Sequence, residues 1–217
     1  MMRYVSSFIA LAIFLFGGIA SAQGLVSRYV AGDHYQVIDK PMEQPGDGKI
    51  HVVEFFLYSC PHCYHLEPEV KDWREQLADD VVFTRVPVLF GAAGRKYARL
   101  YYTVEALDVP DTMHADIFDA MHEQGRALRT ESDMRSFMVA HGVEGARFDK
   151  VYGSDRISAQ VRAAGQMMRR FRVRATPSFG VAGRYWVNGQ LAGSNSAMFD
   201  VADYLIAQQR KKRSDDG

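Results

Sequence analysis

The chain has 217 residues, 47% of them apolar, and its 26 Lys and Arg balance 26 Asp and Glu, for a formal net charge of zero. That balance gives no basic excess for nucleic acid and no acidic excess for a cationic partner, so neither is expected. The length suits one domain, or one domain carrying an insertion. The chain holds just two cysteines, Cys60 and Cys63.

Arg3 supplies a short basic start, Phe8 to Phe16 is an unbroken apolar run, Gly17 and Gly18 break it, and Ala20-Ser21-Ala22 follows. This is the layout of a secretory signal peptide, with cleavage expected after Ala22. The alternative, a membrane anchor, needs roughly 20 apolar residues. No cysteine follows the run to carry a lipid. Removal of residues 1–22 takes away Arg3 and no acid, leaving 25 basic against 26 acidic residues. An exported chain reaches compartments that permit disulfides.

After the leader, His34 to Ile38 alternates as an edge strand would, ending before Pro41, and Gln44 to Lys49 reads as a loop. Ile50 to Tyr58 is a nearly continuous β-branched and aromatic run, the pattern of a strand buried on both faces. A helix is predicted directly after it. Pro61 suits the first helical position and leaves Cys60 at the N-cap. Leu66, Val70, Trp73 and Leu77 recur at helical spacing, with Pro68 expected to kink the helix. Val81 to Val88 reads as the next strand.

From about Gly94 to Gly153 the pattern is helical throughout. Tyr97, Leu100, Tyr101, Val104 and Leu107 form one apolar stripe, and Met113, Ile117 and Met121 another. Thr130 and Asp133 have capping-box spacing ahead of Met134, Phe137 and Met138, and Gly142 should end that helix. Ile157, Val161, Ala164, Met168 and Phe171 mark a further helix. Pro177 to Gly189 reads as a hairpin turning at Ala182–Gly183. Ser194 to Ser196 should cap a last helix bearing Phe199, Ala202, Leu205 and Ile206.

Cys60 and Cys63 lie at the strand-to-helix junction within "EFFLYSCPHCYHLEP", interleaved with His62 and His65. Three readings compete: a redox couple, a metal clip and a structural staple. A loop closed over two residues removes little entropy from the unfolded chain, so a staple here would stabilise little. Structural zinc usually takes two separated ligand pairs, and four neighbours at a helix start point apart. His65 then reads as a solvent-facing helix residue.

The redox reading has a physical basis. Cys60 sits where the first helical N–H groups lack partners, at the positive end of the dipole, so its thiolate should be favoured. Cys63, one turn in, should be more buried and able to attack Cys60 in a mixed disulfide. Pro61 stiffens the turn, and His62 adds a donor and positive charge. Glu54, on the buried strand, needs either a raised pKa or a partner such as Lys71 or an arginine. The clusters Arg169 to Arg174 and Arg210 to Arg213 read as solvated helix ends.

"EFFLYSCPHCYHLEP" with the downstream "RATPSFGV" resembles the DsbA family of periplasmic thiol:disulfide oxidants, which have a thioredoxin-like α/β fold. The likeness extends over "YQVIDKP", the helical block and "FGVAGRYWVNG", most of the chain beyond the leader. It implies a signal peptide over 1–22, a thioredoxin-like domain split over 23–93 and 154–217, and an all-helical insertion over 94–153. It implies that Cys60 is the exposed nucleophile and Cys63 the buried resolving thiol. Thr176–Pro177 would be a cis-proline loop that pairs with substrate backbone, and Glu54 the proton acceptor for Cys63. Threonine departs from the valine that most often precedes this proline in the family.

The implied function is a protein-disulfide oxidant of newly exported, unfolded polypeptides in the periplasm. It would be a monomer, reoxidised by a membrane protein of the DsbB type, with no metal and no cofactor beyond the Cys60–Cys63 disulfide. A disulfide isomerase or reductase is the alternative among enzymes. A holdase or metal-binding protein with incidental thiols is the alternative outside them.

Overall fold

A computed structural model describes residues 28–107, 109 and 112–215. The expected signal peptide lies outside these residues. A five-stranded sheet of order β1-β5-β4-β2-β3 is built from β1 (Gln36–Val37), β2 (Ile50–Phe56), β3 (Val81–Pro87), β4 (Ser178–Val181) and β5 (Tyr185–Asn188). Only β2 and β3 run parallel; the other pairs are antiparallel. Central β2 is buried on both faces, the physical reason for its apolar run. Each strand is shorter than its apolar pattern. The first, expected from His34, is reduced to two residues on the sheet edge.

Helix α1 (Pro61–Glu75) connects β2 to β3 and runs on through Pro68. Its Leu66, Val70 and Trp73 pack on Ile50, Val52 and Phe179 of the sheet and on Met198, Val201, Leu205 and Ile206 of α8 (Ala197–Asp215). Trp73 also donates its indole N–H to Asp203, 2.9 Å away. On the opposite sheet face, Val53 and Phe55 pack with Val86, Phe171 and Trp186. That core is covered by α6 (Asp155–Arg170), capped by Ser154. Successive β2 residues therefore serve different layers, and Glu54 falls on the α1 face with Val52 and Phe56.

Between β3 and α6 lie α2 (Gly91–Leu107), α3 (Met113–His122), α4 (Glu131–Ala140) and α5 (Gly145–Tyr152). They share a core of Leu100, Leu107, Ile117, Phe118, Met134, Phe137 and Phe148. The expected capping box is formed: Thr130 Oγ1 accepts from the Asp133 N–H at 3.0 Å, and Asp133 accepts from the Thr130 N–H at 3.0 Å. Gly142 follows α4 at φ +84, a left-handed conformation that costs glycine little. The hairpin turns at Ala182 and Gly183, both at positive φ.

The basic clusters are exposed, as expected, and several of their arginines also hold partners on the surface. Arg210 makes a two-pronged pair with Asp80 at 2.7 and 2.6 Å, and Arg213 donates to the carbonyls of Gly48 and Lys49. Arg172 is tied to Asp39. The partners are distant in sequence, so helix-end position alone does not disclose them.

Candidate active site

The end of β2 delivers the chain into a tight turn in which the Cys60 N–H donates to the Leu57 carbonyl at 2.9 Å. Cys60 then stands at the N-cap of α1 with extended backbone, and Pro61 occupies N1. The Cys60 carbonyl accepts from the N–H groups of Cys63 and Tyr64, each at 3.1 Å. No acid lies in the first turn to offset the dipole. Both cysteines are free thiols, Cys60 half-buried and Cys63 only 1% exposed.

One helical turn separates two opposite environments. Cys60 falls from an ordinary value of 9.0 to about 5, chiefly through the hydrogen bond from the Cys63 thiol, with help from Thr176 and the backbone N–H groups of Cys63 and His62. These N–H groups do not complete a full capping bond to sulfur, so they act as an oriented positive field. Burial pushes Cys63 well above the ordinary thiol range, and the neighbouring Cys60 thiolate and Glu54 carboxylate add to the shift. Cys60 is thus the stable thiolate, and Cys63 holds its proton.

The expected residues are distributed around this pair. Thr176 comes from the segment before β4, and its carbonyl oxygen lies 3.4 Å from Cys60 Sγ, which donates to it while protonated. The Thr176–Pro177 peptide is cis. Pro61 and His62 are exposed. His62 reaches the sulfur through its main-chain N–H, while its ring faces solvent. His65 is exposed as well. Among the described residues no three His, Cys, Asp or Glu side chains converge as a metal site.

Glu54 is 1% exposed and has its partner in Arg85, whose Nε donates to Oε2 at 2.9 Å; Lys71 stays exposed on α1. Burial raises Glu54 to about 7, against the pull of Arg85 and with the repulsion of Glu67. Arg85 is divided, because its Nη2 also donates to Glu67 Oε1 at 2.6 Å. Glu54 and Arg85 are direct partners in the parallel register. Counting equal positions along the two predicted strands from Ile50 and Val81 would have paired them.

Three further groups carry no motif. Tyr58, two residues before Cys60, is held at both ends from α3. Its hydroxyl lies 2.9 Å from His114 Nδ1, and its carbonyl accepts from His122 Nε2 at 2.7 Å. The His122 ring stacks on Tyr64 at 4.9 Å between centroids. Histidines eight residues apart on a helix read from sequence as ordinary surface or core positions.

Residues 51–205 match the DSBA-like thioredoxin domain family. The chain belongs to the DsbA family. The thiol:disulfide interchange protein DsbA of Azotobacter vinelandii is 40% identical over 170 residues, 78% of each chain. Its counterpart from Bordetella parapertussis is 38% identical over 198 residues, 91% of each chain. The crystal structure of Pseudomonas aeruginosa DsbA is similar at a TM-score of 0.82 and 34% identity, over 86% of this chain and 97% of that one. The fold is thus the thioredoxin-like DsbA fold with its helical segment, and the activity is that of a protein thiol:disulfide oxidoreductase acting in oxidative folding.

Proposed function

We propose that the Cys60–Cys63 disulfide is donated to newly exported, unfolded polypeptides in the periplasm. The observation that carries this direction is the opposed setting of the two thiols, Cys60 at about 5 and Cys63 raised. A thiol that ionises easily is a good leaving group, so a disulfide containing it is readily given away. A client thiolate attacks Cys60 Sγ, the Cys60–Cys63 bond breaks, and Cys63 leaves as a thiolate that takes a proton. A second client thiolate then attacks the client sulfur of the mixed disulfide and releases Cys60 as its stabilised thiolate. The client is oxidised by two electrons and the protein reduced by two.

In this reading Glu54 trades the proton with Cys63, a task suited to a carboxyl that titrates near 7. Pro61 and the His62 N–H shape the nucleophile's turn. Thr176 and Pro177 offer backbone to an extended client, a sequence-tolerant mode of binding. The protein would act as a monomer without cofactor, its leader removed after Ala22, residues 94–153 serving as the insertion. A membrane protein of the DsbB type would reoxidise it.

The decisive measurement is the equilibrium of the Cys60–Cys63 pair against glutathione. A poise well above the about −270 mV of thioredoxin is expected, and a value near it would turn the reading into a reductase. Cys63→Ser should accumulate mixed disulfides with exported proteins, because the group that resolves them is gone. Adducts formed instead through Cys63 in a Cys60→Ser variant would reverse the assignment.

A further inference from the structure

Most inward-facing residues of α3 fill the helical core, as Met113, Ile117 and Phe118 do, but His114 is buried there too and does not merely fill it. Burial keeps the Tyr58 phenol protonated, so its O–H donates to His114 Nδ1 at 2.9 Å. An accepting Nδ1 leaves the proton of a neutral imidazole on Nε2. Nε2 lies 3.5 Å from Glu67 Oε2 and, among the described residues, is buried with no completed hydrogen bond. Glu67 holds Arg85, and Arg85 holds Glu54. A polar run, with one long step between His114 and Glu67, therefore joins the turn before Cys60 to the carboxyl that acts on Cys63. Glu67 and Arg74 of α1, Arg85 of β3, Tyr58 of the turn, and Tyr101 and Glu105 of α2 are the titratable and charged groups around the ring. A cleft of about 720 Å³ bordered by Glu67, Arg85 and His114 gives the run a route to solvent.

We propose that His114 is a positioning residue for the resolving half of the reaction: its neutral Nε2–H holds Glu67 ionised, ionised Glu67 takes a share of Arg85, and Glu54 is left free to exchange a proton with Cys63. This rests on the reading of Glu54 as the proton acceptor. When the protein is reoxidised, Cys63 gives its proton to the Glu54 carboxylate and its sulfur attacks Cys60 in the mixed disulfide. The Cys60–partner bond breaks, and the partner sulfur departs as a thiolate carrying the electron pair. The Cys60–Cys63 pair is oxidised, and the partner's disulfide is reduced.

The electrostatics agree with the geometry. Burial alone would raise Glu67, but the His114 N–H that faces it and the charges of Arg85 and Arg74 bring it below its ordinary value. Ionised Glu67 repels charge on Glu54. Burial likewise holds His114 below its ordinary value, in the neutral form the geometry requires, although Glu67 pulls the other way. Without His114, Glu67 would accept a proton more readily. Arg85 would then turn wholly to Glu54, which would stay ionised to lower pH.

The test is the rate at which Cys63 expels glutathione from a Cys60–glutathione mixed disulfide, followed across pH. In the unaltered protein the rate should fall on the acid side as Glu54 is protonated. His114→Leu should move that midpoint down by about one pH unit. His114→Gln, whose amide can accept from Tyr58 and donate to Glu67, should keep it. Glu54→Gln should abolish the acid limb. If Glu54→Gln loses the limb while folded His114→Leu keeps the original midpoint, the role of His114 is overturned and that of Glu54 stands. If Glu54→Gln keeps the limb, the reading beneath it fails. An equal shift in His114→Gln would also sink the hydrogen-bond account. Should His114→Leu not fold, nitrogen NMR of the unaltered protein decides: a neutral Nε2–H tautomer is expected between about pH 6 and pH 8, and an imidazolium or Nδ1–H tautomer overturns the proposal.

Discussion

The core beneath the sheet and the core within the helical segment meet along α1 and divide its residues between them. Leu66, Val70 and Trp73 belong to the first, with α8 and the sheet. Cys63, one turn earlier, belongs to the second with Phe56, Tyr58 and Phe118, and Cys60 and Tyr64 lie at its edge. Glu54 and Arg85 stand between the two, on the same face of neighbouring strands. The sheet provides the strand-to-helix junction and the Thr176 segment. The helical segment provides much of what surrounds the thiols, including both histidines that hold Tyr58. The difference teaches that the sheet and α1 supply the frame of the redox pair together with Glu54, Arg85 and Glu67, whereas the helical segment supplies the imidazoles that hold Tyr58 and face Glu67.

The largest effects should separate the two cores. Phe118 packs against Phe56, Tyr58, Tyr64, His114 and His122. Phe118→Ala should cost about 3–5 kcal/mol in denaturant unfolding, by lost burial and a residual cavity. It should also shift the pH profile of Cys60 alkylation by iodoacetamide, because the turn carrying Tyr58 loses its support. Leu205→Ala, in the sheet core, should cost about 2–5 kcal/mol yet leave that profile at a midpoint of about 5. Equal disturbance of the thiol by both variants would dissolve the distinction.

Next in size is the effect of redox state. The folded Cys60 pKa is depressed, so its stabilisation of the reduced protein is fully present above the ordinary thiol value of 9.0 and lost as pH falls through about 5. In the disulfide form the thiolate is absent and the short loop compensates little. Denaturant titrations at neutral pH should therefore find the reduced protein more stable than the oxidised one, with the gap narrowing in acid. An oxidised form that is the more stable at neutral pH would count against donation of the disulfide.

Glu54 shows the opposite sign. Its folded value of about 7 lies above the ordinary 4.5, so its contribution is intact below 4.5 and lost as pH rises through about 7. Over that window it should remove up to about 1.4 kcal/mol of stability per pH unit. Glu54→Gln should flatten this slope, and an unchanged slope would mean that the carboxyl is already ionised in the fold. The smallest expected effect is at the far side of the helical segment. Thr130→Ala breaks the capping box of α4 and should cost about 1 kcal/mol, with no change in thiol reactivity.

The amino-acid sequence alone was enough for the elements whose signals are local: the buried run from Ile50, the helix opened by Pro61, the capping box at Thr130 and the turn at Ala182–Gly183. Cap, turn and apolar period each depend on residues within a few positions of one another, and the Cys60–Cys63 spacing is local in the same way. Strand lengths were less legible, because a ladder ends where its neighbour ends. β2 and β3 end together, Phe56 opposite Pro87. Tertiary structure alone decided the contacts that tune the site. His114 reaches Tyr58 across 56 residues, His122 reaches the Tyr58 carbonyl across 64, and the Thr176 carbonyl reaches Cys60 across 116. Such partners leave no periodic trace, since burial, not spacing, makes an unpaired charge or imidazole costly and selects its neighbour.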